Sequence, residues 1–136
     1  MGNHTRKAWN AIAAAAALRW PRIDSLMTLR VTHEATSPPR GFARCRRIGY
    51  GVVVEVSPHL ELEPQERFWG VLAHELGHAI ALLLDVHPED HRLGELLADE
   101  LGGLVLGARV GYDHLGVQVL GSGAGLRPLR LDDRKF

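Results

Sequence analysis

Apolar residues recur at helical spacing along the first twenty positions. Trp9, Ile12, Ala13, Ala16 and Trp20 fall at i, i+3, i+4, i+7 and i+11. That pattern predicts an amphipathic N-terminal helix, stopped by Pro21. From Leu26 to His33 the period changes to two, with Met27, Leu29 and Val31 on one face and Thr28, Arg30 and Thr32 on the other. This is the pattern of a half-buried strand. Residues 36–47, TSPPRGFARCRR, carry two prolines, a glycine and Arg40, Arg44, Arg46 and Arg47, and read as a loop. A second strand follows, in which Ile48, Tyr50, Val52, Val54 and Val56 share one face before Pro58. Its alternation buries one face only, so Tyr50 to Val56 is expected to be an edge strand whose free backbone groups can pair with an extended peptide.

Two longer helices complete the pattern. Pro64 suits a first turn and Glu66 lies near its positive end, and the run from about 64 to 86 is apolar nearly all round, which implies burial. After a break at VHPED a second helix is expected from about Glu89 to Ala108, with Leu93, Leu97, Leu101, Leu104 and Ala108 as its packing stripe. Gly107 and Gly111 end it. The expected architecture is therefore α+β: an N-terminal helix, a small twisted sheet and two later helices. Residues 1–120 form one domain, and 121–136, beginning GSGAG, form a flexible connector and tail.

Composition changes this picture little. Sixteen basic residues balance sixteen acidic ones, so no global field recruits nucleic acid or an anionic membrane. The arginines of 40–47 read as solvated surface. No run approaches the ~18 apolar residues that a membrane span needs. Arg6 and Lys7 before the alanine-rich run Ala11–Leu18 have the form of a signal peptide, but the amphipathic stripe favours a helix of the mature protein. Cys45 is the only cysteine, which rules out an intramolecular disulfide and fits a cytoplasmic protein. A free thiol without a role outweighs a thiolate that caps a metal.

The chemistry lies in AHELGHAIALL, residues 73–83, where three polar groups interrupt the most apolar segment. Residues four apart on a helix lie about 40° apart in azimuth. His74 and His78 can therefore point at one metal ion, with Glu75 beside them, the H-E-x-x-H arrangement of two zinc ligands and a general base. This composition yields about 0.03 chance occurrences of the bare pattern. A catalytic zinc wants a third protein ligand. Ala81 and Leu84 stand where a following H-x-x-G-x-x-H would place its glycine and histidine. Asp85, His87 and His91 sit at or beyond the end of the same helix. Glu95 and Asp99, i and i+4 on the next helix, are the better candidates: Glu95 as ligand, Asp99 as acceptor for the free ring N–H of a ligating histidine, with His74 the favoured one. Glu100 points about 100° away from Asp99. Tyr112 and His114 in GYDHLG are candidate oxyanion donors. Gly77, costly inside a helix, marks close packing of a neighbouring element.

LAHELGHAIA, followed seventeen residues after His78 by ELLAD, resembles the gluzincin metallopeptidases, and the HELGH stretch is similar also to the small ImmA/IrrE-type peptidases. The resemblance covers roughly residues 50 to 107. In the ImmA/IrrE type the position of Asp99 is usually Asn, and the membrane-bound gluzincins have spans absent here. The resemblance implies a minimal zincin-like fold with His74, His78 and Glu95 as zinc ligands, Glu75 as base and Asp99 as supporting acceptor. The activity it implies is hydrolysis of peptide or protein substrates by a zinc-bound water, with Glu75 as general base. A metal-stabilised regulatory module that binds a protein or DNA partner without hydrolysis is the alternative; it has no need of a base at Glu75.

Overall fold

In a computed structural model the chain is described over residues 2–33, 42–86, 88–113 and 116–122. It is an α+β fold, as the pattern predicts. Helix α1 spans Asn3–Ala17 and buries Ala8, Trp9, Ile12, Ala13 and Ala16. Its first turn is capped from a distance: Glu61 Oε1 accepts from both Thr5 N–H and Thr5 Oγ1, at 2.9 and 3.0 Å. Strand β1 (Met27–Val31) follows, then β2 (Ala43–Ile48) and β3 (Gly51–Val56). Helix α2 runs Gln65–Leu83 and α3 His91–Leu106, and a hairpin of β4 (Ala108–Asp113) and β5 (Gly116–Ser122) closes the described chain. Among the described residues no helix is long and apolar enough to cross a membrane.

The first sheet has the order β1-β3-β2, with β1 parallel and β2 antiparallel to β3. This overturns two expectations. The arginine-rich segment read as a loop contains β2, and Tyr50 to Val56 is the inner strand. The continuous run drawn from Ile48 is in fact a hairpin: Gly49, at φ 60°, turns the chain and leaves Tyr50 exposed. Ile48 pairs with Gly51. The misreading has a simple cause, because strand alternation continues across a two-residue turn. Among the described residues, the free edge on this side of the sheet belongs to β2.

One sheet face, carrying Met27, Val52, Val54 and Val56, joins Trp69, Leu72, Leu76 and Ile80 of α2 in the core. On the other face Glu55, fully buried, receives Arg44 Nε at 3.0 Å, Arg46 Nε at 3.1 Å and Arg30 at 3.5 Å. The Arg44 hydrogen bond, outweighing burial, holds the Glu55 carboxyl below its ordinary range, with the charges of Arg46 and Arg30 assisting. These arginines form a clamp as well as a surface.

Helix α3 departs from its predicted stripe. Leu93 is 54% exposed, whereas Ala98, Gly102 and Val105 are buried. A Cβ on Gly77 would overlap the backbone carbonyl of Ala98, and one on Gly102 would overlap that of Ala73. The two helices therefore meet backbone to backbone, and such a face must consist of small residues. Hairpin β4-β5 begins at Ala108, read as the last residue of the helix, and β5 takes in Gly121 and Ser122 of the expected connector. The rest of the expected connector and tail lies outside the described residues.

Two outcomes test this packing. Gly77→Ala should destabilise the protein by about 3 kcal/mol or more in denaturant titration, since backbone has to move. Gly94→Ala, where the added carbon meets nothing, should stabilise it by up to about 1 kcal/mol. The Glu55 clamp makes stability depend on acid. Its folded pKa is depressed, so its stabilisation is complete above the unfolded carboxylate value near ~4.3 and is lost as pH falls through the folded one. Glu55→Gln should be less stable at neutral pH and lose less on acidification, measured by thermal unfolding across pH 2–6 (about the window in which carboxylates titrate).

Candidate metal centre

Helix α2 presents His74 and His78 one turn apart, and α3 brings Glu95 against them. His78 Nε2 lies 3.0 Å from His74 Nε2 and 2.6 Å from Glu95 Oε2, which is itself 3.1 Å from His74 Nε2. These three side chains are the group able to hold a metal ion among the described residues, with ligand atoms all within 4.8 Å of one another. Asp99 stands behind them. Its Oδ1 is 2.7 Å from His74 Nδ1 and accepts that ring proton, so His74 Nε2 keeps its lone pair for the cluster. The structure thus brings His74, His78, Glu95 and Asp99 together.

Donor chemistry fits a cation. Two imidazole nitrogens and a carboxylate oxygen converge, and the buried Glu95 Oε2 faces both ring nitrogens, at 2.6 Å from His78 and 3.1 Å from His74. Bonds of about 2.1 Å in tetrahedral geometry separate ligand atoms by about 3.4 Å. The two separations from His74 Nε2 fall short of that by about 0.3–0.4 Å and the His78–Glu95 separation by about 0.8 Å, so the cluster would open by less than about 1 Å to take an ion. His74 is buried, whereas His78 and Glu95 retain 31% and 27% side-chain exposure, so the cluster has one side open to solvent. Titration follows the same environment. Burial, followed by the neighbouring His74 charge, lowers the His78 pKa. Burial also opposes charge on His74 but is overcome by the Asp99 hydrogen bond and the nearby carboxylates, which raise it. For Glu95 burial is outweighed by the two histidines, and the carboxyl stays low.

Glu75 is buried beside the histidines. Burial is the main cause of a carboxyl pushed up to about 7, with Glu95 adding to the shift and His74 opposing it. Tyr112, on β4, reaches the cluster from the far hairpin. Its hydroxyl is 3.4 Å from both His74 Nε2 and Glu95 Oε1, and its ring meets that of His74 edge-on. Burial and then the Glu95 charge raise the phenol pKa well above its ordinary value, so the hydroxyl keeps its proton. His114, the other donor candidate, lies outside the described residues, as does His87. His91 is 91% exposed with Nε2 3.8 Å from Glu95 Oε1, Glu100 is exposed, and Asp85 lies beyond the end of α2.

Cys45, read from the sequence as a free thiol without a role, lies on β2. The strand β2 packs against α2, and the Glu75 charge reaches the Cys45 thiol. Burial, assisted by that charge, pushes the thiol up to about 12, so it stays protonated. The alternation of Ala43, Cys45 and Arg47 against Arg44 and Arg46 was the available signal for a strand there. Comparison with known proteins gives no match to a protein family, a characterised sequence or a solved structure.

The geometry separates ligands from neighbours. In calorimetric zinc titration Glu95→Ala should weaken binding by at least about 100-fold, and Asp99→Ala by about 10–100-fold. His91→Ala and Glu100→Ala should bind as the parent does. Zinc lost with His91→Ala and kept with Glu95→Ala would overturn the assignment.

Proposed function

We propose that this protein is a zinc-dependent endopeptidase in which His74, His78 and Glu95 hold the metal and Glu75 is the general base. The observation that carries the reading is the convergence of His74 Nε2, His78 Nε2 and Glu95 Oε2, with Asp99 fixing the rear nitrogen of His74 and the Glu75 carboxyl beside them. A purely structural zinc site is closed by four protein ligands. Here three converge on a side open to solvent, next to a buried carboxyl that the metal does not need.

Zinc supplies Lewis acidity toward a carbonyl and toward water. Glu75 takes the proton of the attacking water as its oxygen bonds to the scissile carbon, and delivers that proton to the amine as the C–N bond breaks. Tyr112, protonated and half exposed, donates to the carbonyl oxygen as negative charge develops there. Asp99 keeps the His74 ring in one tautomer and orientation. The substrate backbone pairs with the free edge of β2, the strand whose Cys45 feels the Glu75 charge.

Glu75→Gln tests the reading, because that residue serves the water and not the ion. Cleavage of a mixed peptide library should fall by about 10²–10⁴-fold while zinc, measured by atomic emission, stays at one per chain. Chelator should abolish cleavage in the parent. Undiminished cleavage with Glu75→Gln, or a chain that takes up no zinc, sinks the proposal. Zinc uptake that raises stability with no peptide cleaved favours the non-hydrolytic module.

A further inference from the structure

On the outer face of the first sheet Arg30, Arg44 and Arg46 all reach Glu55, so on β2 two guanidinium groups, Arg44 and Arg46, share this one carboxylate. The carboxylate is fully buried, whereas the three arginine side chains are 53%, 49% and 54% exposed. Arg44 and Arg46 stand on β2, and among the described residues no strand pairs with β2 on the side away from β3. Between them Cys45 points to the opposite face, toward α2, where it feels the charge of Glu75. Arg47 shares that inner face and donates to the Leu82 carbonyl at the end of α2.

A strand added to this edge has its side chains dictated by β2. Residues directly opposite on neighbouring strands share a face, with Cβ atoms about 4.5–5.5 Å apart. Three consecutive residues of an added strand would face Arg44, Cys45 and Arg46 in turn. The middle one lies on the Glu75 side, and its two neighbours lie on the arginine side. We propose that this edge selects peptides with an acidic residue on each side of the residue nearest Glu75, an acidic–X–acidic triad read by Arg44 and Arg46. The proposal rests on the peptidase reading for its substrate and adds the class of sequence taken. A guanidinium has five donors in a fixed fork, so each arginine can hold Glu55 and still offer N–H groups to a second carboxylate. Lysine at those substrate positions would face like charge.

The test uses fluorescent peptides identical except for a central Glu-Ala-Glu, Gln-Ala-Gln or Lys-Ala-Lys triad. Binding is measured by anisotropy on the zinc-loaded Glu75→Gln protein at about 50 mM salt, where screening is modest. The Glu triad should bind about fivefold tighter than the Gln triad, and the Lys triad weakest. In Arg44→Gln/Arg46→Gln the preference should shrink below about twofold; in Glu55→Gln, which frees the arginines, it should grow. If the double variant does not fold, adding Glu55→Gln to it removes the uncompensated carboxylate and carries the same expectation. Equal affinities, no binding, or a preference that survives loss of both arginines overturns the inference. Cleavage by the parent protein is scored separately: indiscriminate cleavage of all three peptides leaves the peptidase reading intact and refutes the triad. Acid-selective binding with no peptide cleaved does the reverse.

Discussion

The candidate centre depends on how closely α2 and α3 approach. Helices packed through ordinary side chains lie about 8–10 Å apart. Here Gly77 faces the Ala98 carbonyl and Gly102 faces that of Ala73, so each helix offers bare backbone where the other needs room. These four residues interleave with the functional ones. His74 follows Ala73, His78 follows Gly77, and Ala98 lies between Glu95 and Asp99. Glu95 has a short side chain for spanning two helices, and it reaches both imidazoles only because the helices nearly touch. The interface contributes little apolar burial of its own. The opposite side of α2, with Trp69, Leu72, Leu76 and Ile80 in the main core, supplies the burial that holds the helix in place.

The same fold treats two sets of buried carboxylates in opposite ways. Glu55 is surrounded by more cations than it needs, and its environment favours ionisation. Glu75, Glu95 and Asp99 gather around two imidazoles that cannot both be charged, since His74 and His78 lie 3.0 Å apart at their Nε2 atoms. Counting both histidines as protonated still leaves three carboxyls against two cations. An unpaired buried charge is costly enough that a fold either neutralises it by protonation or brings in a counter-charge. Glu75 shows the first response, with a carboxyl raised to about 7. Glu95, held low by the two imidazoles its Oε2 faces, fits the second. A divalent cation among these groups would resolve the imbalance, whereas at Glu55 it would be repelled.

What was legible in the sequence follows from what is local. Two histidines at i and i+4 share a face of any helix, and Glu95 with Asp99 repeats the relation, so both halves of the centre could be read before their contact was known. Gly77 signalled close packing through its cost. The opposite error arose on α3, where leucines at helical spacing suggested a core stripe but the buried face is Ala98, Gly102 and Val105. Hydrophobicity measures what a residue gains by burial, whereas here the limit is the space between two backbones. Strand order was illegible for a related reason. Alternation tells which residues share a face but not which strand lies between two others, and β3 became the inner strand through the return of β2, whose arginines disguised it as a loop.

Tyr112 shows how one close contact carries another. It sits on a hairpin far along the chain from His74, and its position depends on where β5 docks. That docking is at Gly70, where a Cβ would collide with the Gln118 backbone, and it is tied by Arg67, which donates to the Val117 carbonyl at 3.2 Å. Val117 pairs with Tyr112 across the hairpin, so the anchor and the reaching hydroxyl occupy the same rung. Gly70 and Gly77 lie seven residues apart, about two helical turns, and so occupy nearly the same azimuth on α2. One face of this helix thus receives the β5 backbone at one level and the α3 backbone two turns further on, with His74 between them. Three elements remote in sequence meet at the candidate metal centre because a single helix carries glycine at the two points where the others must come closest.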